Sequence, residues 1–312
     1  MQTRHYLPTN DLLFHKVIGN ADHPDITAGF INDLLGIEVK DVMIQNPYDI
    51  RSFRSQEGFQ EIKTTIVDVL VTLPDGSQVV IECQVGRQKS FLKRALFYAA
   101  TRYAHLYGDS EMPKDQGIRY DLYDSLHPIS VINVLGFSQF YNDDKPHRIF
   151  TLSDDVSHMN YGYGSDTLLP VGMLSMSFLE LTKPRGNAEL SIRHWMDYCS
   201  GIPDSPEAPE YIKRARRIID LQNLSIEERE MIDRRELELA DLAAQLLYAE
   251  EQGIEQGIEQ GIEQGVLKGK EQATLSIARA ALQAGSDFRY VAKITGLEIE
   301  TIRELLDEIE NK

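Results

Sequence analysis

Two hydrophobic periods alternate along this chain, and each change of period marks a new element. From Ile66 to Val85 the period is two. Val67, Val69 and Val71 share one phase, and after a short polar break Val79, Ile81, Cys83 and Val85 share another. β-branched residues dominate both runs, so 66–73 and 79–85 read as strands. The break, Leu73-Pro74-Asp75-Gly76-Ser77, is a turn with a mechanism. Pro pre-sets φ, Asp suits the next position, and Gly takes the left-handed one. These choices favour a three-residue loop with a glycine bulge. It pairs Leu73 with Ser77 and, continued along both strands, Asp68 with Glu82. A two-residue loop would set Asp68 against Cys83 and turn every side chain to the opposite face.

Further on, Ile129–Leu135 reads as a buried strand, with His147–Leu152 and Val171–Leu181 as further strands. Tyr141–Lys145 and Tyr161–Asp166 are turn-rich loops. Helical spacing marks a short first helix capped by Thr9 or Asn10 and a second from Asp22 to Gly36. A third runs from about Ser90, a candidate N-cap, to Tyr107, with Gly108 as its stop. These elements predict an α/β fold, a core sheet flanked by helices over residues 1–200.

Beyond the Pro203–Pro209 linker the pattern is helical throughout. Residues 210–250 contain no Gly or Pro. Glu-Gln-Gly-Ile then repeats three times from Glu251 to Ile262 and continues as Glu263-Gln264-Gly265-Val266, with glycines at 253, 257, 261, 265 and 269. A four-residue step keeps the glycines on one slowly turning stripe beside Ile254, Ile258, Ile262 and Val266. Each helical Gly costs about 1 kcal/mol relative to Ala. The segment is therefore either a flexible linker or a helix stabilised by close packing, and a self-associating helix is the reading favoured. Residues 201–270 form this connector. Residues 271–312 form a small helical module with helices near 271–284, 288–294 and 299–309. Its Val291–Ile302 segment is like a helix-turn-helix, with Ala292, Gly296 and Ile302 in the structural positions. Glu298, Glu300, Glu304, Asp307 and Glu308 oppose Arg303 alone on the last helix, so protein contact suits it better than DNA.

Composition narrows the class. The chain has 312 residues, 42% hydrophobic. That suffices for one core of about 150–200 residues and an appendage. No secretory or membrane-spanning run is visible. Two cysteines suit a reducing, cytoplasmic setting, and eight histidines show no zinc-ligand spacing. The net charge of −17 argues against a general nucleic-acid binder. Yet residues 201–312 hold 14 Lys/Arg against 24 Asp/Glu, while residues 1–120 are near balance at 13 against 15. Arg87, Lys89, Lys93, Arg94 and Arg102 form the most basic stretch, fit for phosphates or for a solvated helix face.

The chemistry concentrates in the hairpin. In the favoured register Asp68, Glu82 and Gln84 share one face with Ile66, Leu70 and Val80, and the opposite face is wholly apolar. Two directly opposed carboxylates repel. They need a shared proton, a paired Arg or Lys, or a cation between them. Mg²⁺ suits hard oxygen ligands completed by waters and phosphate. The plainer reading is a pair of acids ion-paired on a solvated face.

Asp68, then Ile81-Glu82-Cys83-Gln84, then Phe91-x-x-Arg94-x-x-x-Tyr98-x-x-x-x-Tyr103 together resemble the PD-(D/E)XK nuclease superfamily. Within it they resemble the Rpn family of recombination-promoting nucleases, also called PD-(D/E)XK nuclease family transposases. Asn10-Asp11-x-x-Phe14-x-Lys16, Phe178-Leu179-Glu180-Leu181-x-Lys183 and Trp195 agree. The resemblance covers about residues 5–200 and implies a restriction-endonuclease-like core with an all-helical C-terminal extension. It implies a metal-dependent DNA endonuclease of recombination, mobile DNA or defence. Asp68 and Glu82 would bind Mg²⁺, with Mn²⁺ or Ca²⁺ as substitutes, helped by the Cys83 carbonyl. Gln84 stands where the superfamily usually has Lys, although the Rpn family often has Gln. Arg87, Lys89, Lys93 and Arg94 would meet DNA phosphates, with Lys89, Lys93 or Arg94 supplying the missing charge. Asp11 and Tyr98 are accessory candidates. The competing expectation is an inactive scaffold acting through protein–protein assembly, and in either case a homo-oligomer through the C-terminal helices.

Overall fold

A computed structural model of the chain describes residues 6–46, 69–87, 89–109, 126–158 and 172–310. Among the described residues six strands form one sheet: β1 (Met43–Ile44), β2 (Val69–Thr72), β3 (Gln78–Gln84), β4 (Ile129–Leu135), β5 (His147–Thr151) and β6 (Leu174–Glu180). Their spatial order is β1-β2-β3-β4-β6-β5. The outer pairs are antiparallel, whereas β3 to β4 and β4 to β6 are parallel. Parallel neighbours need crossovers. Between β3 and β4 the chain forms α3 (Phe91–Asp109).

The hairpin turn forms as its residues dictate. The Gly76 N–H donates to the Leu73 carbonyl at 3.0 Å, the Leu73 N–H donates to the Ser77 carbonyl at 2.8 Å, and Gly76 takes φ +84°. Asp75 receives the Ser77 N–H at 3.0 Å, closing the loop. The resulting register pairs Val69 with Ile81 and Thr72 with Gln78. This is the register of the three-residue loop.

The two faces of the sheet are covered differently. Val69, Val71, Val79, Ile81, Ile132, Val134 and Leu179 face the main core. They pack against α1 (Asp11–Ile18), α2 (Pro24–Leu35), α4 (Leu190–Cys199) and α5 (Glu210–Ile218). Trp195 anchors this layer. Its ring meets Phe30 edge-on at 4.8 Å, and its Nε1–H donates to Asp33 at 2.7 Å, where the Tyr211 hydroxyl also donates at 2.7 Å. On the opposite face α3 buries Phe91, Ala95 and Ala99, one residue per turn. Ala99 meets Val80, Ile129 and Val131, while Phe91 and Ala95 meet Leu135 and Phe178.

Several boundaries differ from the sequence reading. Gly108 does not stop α3, which reaches Asp109. Ser90 precedes the helix with φ +61°, outside the extended geometry of an ordinary N-cap. The chain divides into two compact units, 1–234 and 235–312. Residues 201–234 thus belong with the first unit, where Ile212, Ala215 and Ile232 are buried. The segment 203–209 is tied down, with Arg216 held by Asp204 at 2.8 Å. The helical stretch read at 210–250 is divided between two helices. α5 ends at Ile218, and α6 (Ile226–Gln283) begins after a reciprocal cap. The Glu228 N–H donates to Ser225 Oγ at 3.1 Å, and the Ser225 N–H donates to Glu228 Oε2 at 2.9 Å.

In the second unit, α6 continues through the Glu-Gln-Gly-Ile repeat without a break. Ile254, Ile258, Ile262 and Val266 are exposed, and apart from the adjoining residues and backbone of the helix itself, no atom of the described residues lies within 4 Å of where a Cβ would stand on the five repeat glycines. Its end packs on α7 (Phe288–Thr295) and α8 (Ile299–Glu310) through Ala278, Leu282, Val291, Ile302 and Leu305. Asp287 caps α7, and Gly296 leaves it in the left-handed conformation.

Candidate active site

Glu82 lies near the C-terminal end of β3, on the face that α3 covers, only 5% exposed. Its neighbour two residues before, Val80, packs under Ala99. Glu82 Oε1 is buried and, among the described residues, receives no hydrogen bond. Burial raises its carboxyl pKa above the usual range, and the positive charge of Arg94 pulls the other way. Arg94 is committed elsewhere, since its Nη2 donates to Gln84 Oε1 at 3.1 Å. Gln84 Nε2 in turn donates to the Gly86 carbonyl at 3.0 Å. Both ends of the Gln84 amide are engaged, so its local effect is to hold a guanidinium over the end of the strand. About two helical turns further, Arg102 Nε donates to Gln78 Oε1 at 2.9 Å. Two Arg–Gln contacts therefore fix α3 along β3.

Cys83 points its side chain to the main core, where Sγ approaches the Thr9 carbonyl at 3.8 Å. The Gln84 carbonyl accepts from the Gly136 N–H at 2.9 Å, on the β4 side. Carbonyls alternate along a strand, so that of Cys83 is directed towards β2. Gly136 is held close, because a Cβ there would lie 2.7 Å from the Val85 carbonyl oxygen. The segment after β4 thereby starts against the end of β3. It carries Phe137 and Tyr141, over which the exposed Arg87 guanidinium lies at 6.0 and 5.2 Å, while Arg87 Nη2 donates to the Ser138 carbonyl at 2.8 Å. Lys89 and Lys93 are exposed beside it.

Asp68 lies outside the described residues, as does the loop read at Tyr161–Asp166. Asp11 sits in the first turn of α1 with Oδ1 accepting the Leu12 N–H at 2.9 Å, and Asn10 provides the cap. That turn meets β3 from the Cys83 side, the face opposite Glu82. Tyr98 is half-buried on α3 with its ring 6.0 Å from Phe97, while Tyr103 joins the core around Val80.

On this face the sequence reading passed over one group, and it quoted another only as part of the resemblance, with no role. Asn133 on β4 is the register partner of Glu82 and is fully buried. Glu180 ends β6, also fully buried. It accepts the Gln139 and Phe140 N–H groups at 2.6 and 3.0 Å. Its Oε2 has Lys183 Nζ at 2.9 Å, off the hydrogen-bonding angle, so charge rather than a directed bond satisfies that oxygen. Arg148 stands 3.7 Å away and grips Asp143, whose carboxyl it holds down to about 2. Among the described residues no cluster of three His, Cys, Asp or Glu side chains is placed to hold a metal, and no helix is long and apolar enough to cross a membrane.

Comparisons with curated proteins and with solved structures give no match. The family model for the PD-(D/E)XK nuclease family transposases matches residues 8–249, taking in the mixed sheet, Glu82-Cys83-Gln84 and α3, and the chain belongs to that family.

Proposed function

We propose that this protein is a divalent-metal-dependent DNA endonuclease, with Asp68 and Glu82 as the metal carboxylates. The observation that carries the reading is Glu82. A buried carboxylate oxygen without a donor costs roughly 1–3 kcal/mol or more, a deficit that a bound cation would remove. The donor set suits a hard ion of the Mg²⁺ type, with Mn²⁺ and Ca²⁺ as substitutes. The described hairpin pairs, Val69 with Ile81 through Thr72 with Gln78, keep the register in which the sequence pairs Asp68 with Glu82, and the Cys83 carbonyl is directed to the β2 side. When bound, the ion supplies Lewis-acid polarisation of the scissile phosphate and a more acidic water. Arg94, braced by Gln84, would offer the positive charge that a superfamily Lys supplies, for charge developing on phosphate. Arg87, Lys89 and Lys93 hold flanking phosphates, so binding weakens as salt rises.

The test is supercoiled-plasmid cleavage at low salt with Mg²⁺, Mn²⁺ or EDTA. Asp68→Ala and Glu82→Ala should each lower metal-dependent nicking by about a hundredfold or more. Equal cleavage by the variants would overturn the assignment. The second reading, an inactive scaffold, rests on the uncharged Gln84, and a folded protein that cuts in no metal would support it. We also propose a second copy of the chain as partner of the exposed repeat helix. Ile258→Glu should then lower the solution mass, measured by light scattering, and an unchanged monomer mass in the wild type would dismiss it.

A further inference from the structure

Glu82 Oε1 has a counterpart. Asn133 Oδ1 is likewise buried and, among the described residues, receives no hydrogen bond. The two residues are register partners on adjacent parallel strands, whose spacing is about 4.8 Å. They share a face. Val80 and Val131, one step before, meet Ala99 of α3, and Leu135, one step after, meets Phe91 and Ala95. The orientation of the Asn133 amide is fixed by its other end, because Nδ2 donates to the Ser177 carbonyl at 3.2 Å. The oxygen is the end left over.

Two acceptors on register-paired residues cannot satisfy each other while Glu82 is ionised. Something bearing positive charge or protons must stand between them, or both remain desolvated. An aliphatic residue at 133 would match Ile129, Val131 and Leu135 in the same phase and leave no such deficit. Resting on the reading of Glu82 as a metal carboxylate, we propose that Asn133 is a metal-positioning residue. Its Oδ1 is a further oxygen for the divalent ion at Glu82, bound directly or through one ion-held water. The site thereby spans β3 and β4, and the amide adds a ligand without adding a third mutually repelling charge.

The experiment uses the full chain and Mn²⁺ alone. Free Mn²⁺ is followed by electron paramagnetic resonance, and thermal unfolding is recorded in EDTA and in Mn²⁺. Asn133→Leu should raise the Mn²⁺ Kd about tenfold or more, with its Tm in EDTA at or above that of the wild type. Asn133→Asp should bind Mn²⁺ at least as tightly as the wild type. It should also have a lower Tm in EDTA and a larger rise on adding Mn²⁺. A Kd unchanged in Asn133→Leu, or equal weakening in both variants with a lowered Tm in EDTA, would show a purely structural amide and overturn the proposal. Where Asn133→Leu does not fold, the affinity of Asn133→Asp decides. Loss of binding in Glu82→Gln but not in Asn133→Leu would remove Asn133 and leave the Glu82 reading standing. A wild type that binds no Mn²⁺ would remove both.

Discussion

Glu82 and Glu180 stand on the same face of one sheet, two strands apart, and both are buried. Glu180 is surrounded by everything a carboxylate needs: two backbone N–H groups, an ammonium at 2.9 Å and a guanidinium at 3.7 Å. Glu82 has one guanidinium near enough to act by charge, and that group donates to Gln84 instead. The contrast separates two uses of a buried acid. The first ties the end of β6 to the segment after β4 and is complete in itself. The second keeps one oxygen that receives no hydrogen bond among the described residues.

Removing a partner from the complete site should have the largest effect. Lys183→Ala leaves Glu180 buried with only the more distant Arg148, and the loss should be about 3–5 kcal/mol, read by urea unfolding at pH 7. A loss under about 1 kcal/mol would mean that the two acids are less different than their surroundings suggest.

Acid should act next, through groups of opposite sign. Burial holds His15 and His147 down to about 4 against an ordinary 6.5. Between those values the unfolded chain binds more protons than the folded one, so stability falls as pH drops from 6.5 towards 4. Each imidazole contributes a loss on the order of 3 kcal/mol. Glu82 works in reverse. Its raised pKa means that the folded chain keeps a proton longer, so its penalty grows as pH rises above about 4.5. Unfolding free energies at pH 7, 5.5 and 4.5 should show the net fall, and a flat profile would contradict the buried neutral imidazoles.

The smallest effect has the most telling sign. Glu82→Gln, in metal-free buffer at pH 8, should raise stability by about 1 kcal/mol, because it removes a charge that the fold leaves unmatched. The same substitution at Glu180 should destabilise. If both lose stability equally, Glu82 is an ordinary structural acid.

The hairpin was readable because turn chemistry is local. Pro74, Asp75 and Gly76 select the loop, and the loop selects the register. Ile129–Leu135 matched its strand residue for residue because β-branched runs of that length suit little else. The reciprocal cap Ser225-x-x-Glu228 was also written in the chain, and it divides the stretch 210–250 that the sequence marks as helical. Gly108 lies inside the bounds of α3, since one helical Gly costs only about 1 kcal/mol. Asn133 had no local signal, since its meaning depends on lying beside Glu82 across a crossover. The setting of Glu180 depends in the same way on β5 returning antiparallel with Arg148.

The repeat in α6 acts as a graduated spacer. Each Glu-Gln-Gly-Ile unit lengthens the helix by about 6 Å and rotates the downstream chain by about 40°. Gaining or losing one unit would leave the identity of every exposed face unchanged within the repeat. It would shift the α7–α8 module along and around the helix relative to Arg235. Variation in repeat number would therefore retune the reach of that module in fixed increments, without altering a single residue of its core.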